Sequence, residues 1–344
     1  MIQTAVVILN WNGEDYLKKF LPSVLEFSNS ETTEIWVADN GSTDVSISIL
    51  KSDFPTVKLL ELDKNYGFTG GYNRALKQIK AEYYVLLNSD IEVTQHWIEP
   101  IIQYMDNNES VAAAMPKLMA YHAKDSFEYA GAAGGFIDKL GFPFCRGRIL
   151  SEIEKDNGQY NDIAEIFWAT GACLFIKAEL YHKVGGLDED FFAHMEEIDL
   201  CWRLKNRGYK IVYIPESKVY HVGGGTLPND NPRKLYLNYR NNLFLLYKNL
   251  PKGEFRYILY LRMILDGASS IMYLLQGKFS FFMAVPKAHF SFYSTLRKFR
   301  VKRKENIKLT ISSNHKEIFN RSIIFSFFVR KVRNFSALSE KGWR

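Results

Sequence analysis

The chain predicts an α/β fold with a mostly parallel central sheet flanked by helices, and three observations carry that reading. Buried-strand patterns and helical apolar spacings alternate from Ala5 to Leu87. Each strand pattern stops abruptly at a polar, turn-forming run, as at Asn10-Trp11-Asn12-Gly13 and Asp39-Asn40-Gly41-Ser42. The strand ends carry amide or acidic side chains, where ligands collect in open α/β sheets. A β-α-β-α order of this kind is satisfied by parallel strands with helices on both faces. The first turn holds no GxGxxG, so the dinucleotide-binding fingerprint is missing.

Taken in order, Ala5–Leu9 reads as a buried strand, and Tyr16, Leu17, Phe20, Leu21, Val24 and Leu25 recur at helical spacing. Residues 34–38 form the second strand, and the turn from Asp39 to Asp44 caps a helix through Ile47 to Leu50. Residues 57–61 are the third strand. A helix over 71–80 precedes the fourth, 83–87, which ends at Asn88-Ser89-Asp90. Residues 116–165 are glycine-rich and irregular, and read as extended loops over a site. A strand over 172–176, a helix to Val184, a helix over 196–206 and a strand over 210–214 follow. The run His221-Val222-Gly223-Gly224-Gly225 then opens a loop.

The bulk numbers fit an enzyme-sized globular chain: 344 residues, 47% hydrophobic and 24% charged. The net charge of +6 favours anionic partners without choosing among nucleotide diphosphates, lipid headgroups and nucleic acid. Three widely spaced cysteines form no metal pattern and fit a reducing compartment. No signal peptide is expected at the N-terminus, and no run of eighteen uncharged apolar residues predicts a membrane span.

The residues that suggest chemistry are oxygen-rich. Asp90 at a strand mouth suits a hard divalent cation, which typically bridges carboxylates to substrate phosphates; capping the next helix is the alternative. Glu196-Glu197-Ile198-Asp199 offers a second acidic set, able to take a proton from a nucleophile or simply to sit in solvent. Asp39 could accept from a base or ribose, or satisfy the amides of its own turn. The stretch from Asn65 to Arg74, with Gly67, Gly70 and Gly71, offers bare backbone and a helix N-terminus to a phosphate or sugar hydroxyl. Arg74 faces either that site or solvent.

Together these segments resemble family 2 glycosyltransferases of the GT-A fold. The motifs, in order, are Val7 to Asn12, Asp39 to Asp44, Asn65 to Arg74, Asn88-Ser89-Asp90, Trp168 to Ala172 and Gly185 to Asp199. The chain looks most like the bacterial rhamnosyltransferase branch, over about residues 3–245. The resemblance implies an inverting transfer from a nucleotide-sugar, best matched by dTDP-rhamnose, to a saccharide or lipid-linked saccharide acceptor in cell-surface polysaccharide synthesis. UDP-hexose or UDP-N-acetylhexosamine transfer is the nearest alternative, and a non-catalytic nucleotide-sugar-binding or membrane scaffold protein is one of another class. It implies that Asp39 binds the base with Asn10 and Asn12 beside it, and that Asn65, Gly67, Gly71, Arg74 and Asn88 line the donor site. Asp90 would hold Mg2+ or Mn2+, with His221 a further ligand; Asn88 stands where the family's metal motif usually begins with aspartate. Glu197 would be the general base, with Glu196 its substitute. Trp168, Thr170, Gly171 and Asp199 would face the acceptor, Trp168 alternatively being a core residue.

From about residue 246 the chain turns into helical stretches that mix aromatic side chains with Arg and Lys, densest at Arg297–Lys304. Such a stretch suits a membrane surface, or else packs on the catalytic part or a second copy in a homodimer. A nucleic-acid role is not expected, since no recognised nucleic-acid-binding fold precedes it. The sequence reading is therefore a cytoplasmic enzyme, peripheral at the inner face of the bacterial plasma membrane.

Overall fold

The computed structural model describes residues 2–223, 231–338 and 342–343. Its N-terminal part follows the alternation read from the sequence: β1 (Thr4–Asn10), α1 (Glu14–Phe27), β2 (Thr33–Asp39), α2 (Ser46–Asp53), β3 (Lys58–Glu61), α3 (Gly67–Leu76) and β4 (Tyr83–Asn88). β1 pairs in parallel with β2 and β4, and β2 with β3, giving the spatial order 3-2-1-4. Helices cover both faces, so Ala5, Val6 and Val7 are fully buried in succession. α1 turns Leu17, Phe20, Leu21 and Val24 inward.

Beyond β4 come β5 (Ile91–Val93), α4 (Glu99–Asp106), β6 (Val111–Ala120) and β7 (Ala123–Phe127). The span expected to be loops, 116–165, instead takes in the end of β6, all of β7 and four further short strands: β8 (Gly135–Asp138), β9 (Pro143–Cys145), β10 (Arg148–Ile149) and β11 (Glu152–Ile153). These four make a separate antiparallel sheet. Next are β12 (Ala164–Ile166), β13 (Cys173–Lys177), α5 (Ala178–Lys183), α6 (Glu196–Asn206) and β14 (Lys210–His221). β13 lies between β4 and β6 and is antiparallel to both, while β14 runs parallel to β6. The ten-stranded central sheet is thus mixed: β4, β1, β2 and β3 are all parallel, and antiparallel β13 separates them from the parallel pair β6 and β14. β14 also outruns the expected strand: it passes Pro215 through a register shift between Ile214 and Lys218.

Three helices follow, α7 (Pro232–Asn249), α8 (Phe255–Leu275) and α9 (Phe279–Lys308). α7 and α9 are stapled by the stacked rings of Phe244 and Phe299, 3.9 Å apart. The boundary expected near residue 245 falls inside α7, whose side chains bond the catalytic part on either side of it. Asn242 donates to Gly141 O at 2.7 Å, and Asn249 to Asp199 at 2.9 Å.

α8 is the one helix among the described residues long and apolar enough to cross a membrane, by length and composition. Its two mid-helix charges face inward, where Arg262 pairs with Asp266 at 2.7 Å and also reaches Asn242, while Arg256 in its first turn is exposed. Its outer face keeps Tyr257, Tyr260, Ile271 and Leu275 exposed. The extension is not helical to its end. β15 (Ile318–Phe319) pairs in parallel with β8 and completes the second sheet, before α10 (Ile323–Phe328). The three cysteines are free and buried.

Candidate active site

The turns after β1 and β2 form one hydrogen-bonded unit. Asn10 Nδ2 donates to Asp39 Oδ2 at 2.9 Å, and the Ser42 amide donates to Asp39 Oδ1 at 2.8 Å. Ser42 Oγ accepts from the Asn12 amide at 2.9 Å, and Asn12 Oδ1 from the Thr43 amide at 2.7 Å. Asp39 is fully buried. Of its two sequence readings, the turn anchor is the one these atoms make. Asn10 Oδ1 is buried without a partner, so this pocket retains an unused acceptor.

The Asn65–Arg74 stretch closes on itself more than expected. Asn65 Oδ1 accepts from the Gly67 amide at 2.8 Å and from Asn40 Nδ2 at 3.1 Å. Gly67 has φ +71°, and a Cβ there would fall 2.6 Å from the Phe192 ring. At Gly71 a Cβ would meet Leu9 at 2.7 Å, so this glycine allows α3 to approach β1. The Phe68 and Thr69 amides donate to Phe192 O at 3.2 and 3.4 Å. The N-terminus of α3 is therefore sealed by the loop before α6 and is not bare for a phosphate, which corrects the sequence reading. Arg74 turns to Glu189 at 3.1 Å and stacks 3.7 Å from the Tyr66 ring.

At the end of β4, Asn88 is half-buried, and Asp90 is buried against His221, with Oδ1 to Nε2 at 3.1 Å. The other ring nitrogen faces Glu128 Oε1 at 3.3 Å, a carboxylate no sequence motif singled out. Burial alone would lower His221, but its bonds to Asp90 and Glu128 push it up to about 10. Two buried carboxylates around one imidazole make a place that favours positive charge. Among the described residues no group of three or more His, Cys, Asp or Glu is arranged to hold a metal. Asp90 and His221 are the side chains that would hold a divalent cation here, with the rest of its ligands supplied by substrate oxygens. Val222 and Gly223 follow on the same loop; Gly224 and Gly225 lie outside the described residues.

Across from this strand end is α6. The Asn88 amide donates to Ala172 O at 2.9 Å. A Cβ on neighbouring Gly171 would stand 3.7 Å from Glu197 Cβ. Glu196 Oε2 and Glu197 Oε2 are buried without hydrogen-bond partners. Burial, reinforced by the charge of Glu197, raises Glu196 well above the usual range, and burial pushes Glu197 up to about 7. The loop feeding α6 holds Phe192, His194 and Met195 at φ +66°, +71° and +71°. Left-handed backbone of this kind costs about 1–3 kcal/mol per residue and persists where surroundings enforce it. Burial and then the Lys234 charge lower His194 to about 4, which leaves it neutral at physiological pH.

Two acceptor residues are corrected. Trp168 is buried, its indole N–H donates to Phe136 O at 2.9 Å, and its ring packs on Gly135, so no indole face is open to a sugar. Asp199 is fully buried among Arg203, Lys248 and Asn249. Thr170 is also buried, its hydroxyl accepting from the Ala172 amide at 3.2 Å. Gly171, by contrast, borders Glu197 directly.

Residues 5–181 match the family described as glycosyl transferase family 2. The chain belongs to this family. Among curated family relatives, N-acetylglucosaminyl-diphospho-decaprenol L-rhamnosyltransferase of Mycobacterium tuberculosis is 24% identical, over 70% of this chain and 83% of its own. Rhamnosyltransferase WbbL of Escherichia coli is 26% identical, over 63% and 82% respectively. Among solved structures, GalNAc-T7 with UDP, GalNAc and Mn2+ superposes with a TM-score of 0.59 at 15% identity, covering 88% of this chain and 55% of that one. That likeness shows a shared GT-A fold.

Proposed function

We propose that this glycosyltransferase moves rhamnose from dTDP-rhamnose to a saccharide on a lipid carrier, inverting the anomeric centre. The observation that carries the mechanism is the half-buried Glu197, whose Oε2 is enclosed without a hydrogen-bond partner, set across Gly171 from the end of β4, where Asp90 meets His221. A carboxyl near pH 7 is matched to general-base work. Glu197 takes the proton of the acceptor hydroxyl as its oxygen bonds to the anomeric carbon, and the carbon–oxygen bond to the diphosphate breaks on the opposite face. Asp90 and His221 would hold a divalent cation, which when bound neutralises charge on the departing diphosphate. Asn10, Asn12 and the Asp39-anchored turn border the nucleotide, with Asn65 and Asn88 along the donor path. The rhamnose donor rests on the rhamnosyltransferase activity of the two curated relatives.

Thermal shift against dTDP-, UDP- and GDP-sugars, with Mn2+ or Mg2+, tests the donor, because a ligand bound to the folded state raises the melting temperature. The largest shift is expected for dTDP-rhamnose. A larger shift with a UDP-hexose replaces the donor but leaves the mechanism standing.

The same reading places the enzyme at the anionic inner face of the plasma membrane, through α8 and α9. Residues 267–304 contain eight Lys or Arg and no Asp or Glu, next to the exposed Ile271, Leu275 and Phe279. Apolar side chains beside basic ones suit a headgroup boundary. The full chain should float with anionic vesicles, and Ile271→Ser with Leu275→Ser should release it. Equal flotation of the variant moves the contact elsewhere.

A further inference from the structure

The residues from Asp190 to Met195 form the sharp, left-handed bend that delivers Glu196 and Glu197 to the start of α6. Carbonyls in such a bend have no ladder partners of their own, and a buried carbonyl left alone is costly. Here every carbonyl from Asp190 to His194 accepts a bond from another residue, and most of the donors belong to α7. Arg240 Nη2 donates to Asp190 O and Phe191 O at 3.1 and 3.0 Å. Asn241 Nδ2 shares its two hydrogens among Phe191 O, Ala193 O and His194 O, at 2.9, 2.8 and 2.8 Å. The remaining carbonyl, that of Phe192, accepts from the α3 amides. Asn241 is fully buried, and its Oδ1 accepts from Arg240 Nε at 2.9 Å, which fixes which end of the amide faces the bend. A flipped amide would set oxygen against three carbonyls and nitrogen against a guanidinium.

We propose that Asn241, held by Arg240, is a positioning residue for catalysis: its amide hydrogens clamp the bend that aims the Glu197 carboxylate at the acceptor hydroxyl. The inference rests on Glu197 being the base, but it goes beyond that assignment, because α7 lies outside the matched family segment, residues 5–181. A purely structural asparagine would affect how much enzyme folds. A positioning one changes the rate of each folded molecule, since a displacement of about 1 Å in a reacting group can cost on the order of 10²-fold.

The test uses the full chain with Asn241→Asp and Asn241→Ala. The aspartate keeps size and shape but has no amide hydrogens to donate. In both variants kcat per folded molecule should fall on the order of 10²-fold with donor KM unchanged. Amide hydrogen exchange across residues 192–198 should quicken. A folded Asn241→Asp enzyme with the wild-type kcat overturns the proposal. If neither variant folds, Arg240→Gln on a half-buried side chain takes their place. It should show the same kcat-only loss in smaller measure, and an unchanged kcat overturns the clamp. Glu197→Gln separates the two claims. Full transfer by that variant removes the base assignment itself; loss of transfer there, with full transfer by Asn241→Asp, removes only the clamp.

Discussion

Two sets of carboxylates lie within the stretch from Asp188 to Asp199, and they live under opposite conditions. Asp188, Asp190 and Asp199 are all ion-paired: Asp188 with Lys248 and Lys302, Asp190 with Lys298 and Lys302, Asp199 with Arg203 and Lys248. Burial would raise each of them, yet these cations hold all three below the ordinary carboxylate range. Glu196 and Glu197 have burial without a cation, and both are raised. The first set fastens α7 and α9 to the loop. In the second, Glu196 Oε2 and Glu197 Oε2 are left without partners, the pattern by which candidate functional carboxylates are recognised.

That contrast breaks most visibly at Asp199. Asp199→Ala leaves Lys248 and Arg203 buried with too little negative charge, and removing one member of a buried ion pair costs about 3–5 kcal/mol. Urea unfolding should show that loss; a change under about 1 kcal/mol would put Asp199 in the class of surface pairs. Next in size is Glu197→Gln. Transfer should fall by about 10² or more while donor affinity by calorimetry stays intact. If Glu196→Gln abolishes transfer and Glu197→Gln does not, the base is the neighbour.

A smaller effect concerns pH. Glu197 has a folded value of about 7, above its unfolded value, so its contribution to stability is full below about pH 4.3 and fades as pH rises through 7. Glu197→Gln has no such loss. The variant's melting temperature should gain on the wild type between pH 5 and 8, across the same window in which wild-type turnover rises. A constant gap between the two proteins would mean that Glu197 titrates normally. Least of all should come from Lys298→Ala. Its side chain is 61% exposed, and such a pair contributes about 0–1 kcal/mol, less still in high salt.

The parallel half was legible because its signals are local: continuous apolar runs for β1 and β4, helical spacing in α1, and polar turns between them. The second sheet was not. Its strands are two to four residues long, too short for a period, and its last strand comes from Ile318–Phe319. Pro215 cut the reading of β14 short because proline removes a ladder donor, whereas the strand passes it at an irregularity. At the candidate site, residue type at strand and helix ends pointed to Asp90, His221 and the glutamate pair. Glu128 was missed because its partner His221 is remote in sequence. The run Arg240-Asn241-Asn242, directly before the apolar Leu243–Leu246, was the available signal for the proposed clamp. Trp168 and Asp199 misled for one reason: burial and pairing partners are set by tertiary packing.

The return of the chain end to β8 also bears on how the molecule forms during synthesis. Asp138 accepts from the Ile323 amide at 2.8 Å, a bond between residues 185 apart in sequence. Domains generally fold as their residues emerge, yet this sheet cannot close until β15 has left the ribosome. The parallel half can assemble early from neighbours in sequence, whereas the second sheet waits with an open edge, and long-range pairings of that kind form slowly. Cutting the chain near Asn249 would therefore do more than strip an accessory: it would remove the edge strand β15, and Lys302 with it, and leave β8 exposed to pairing with other chains.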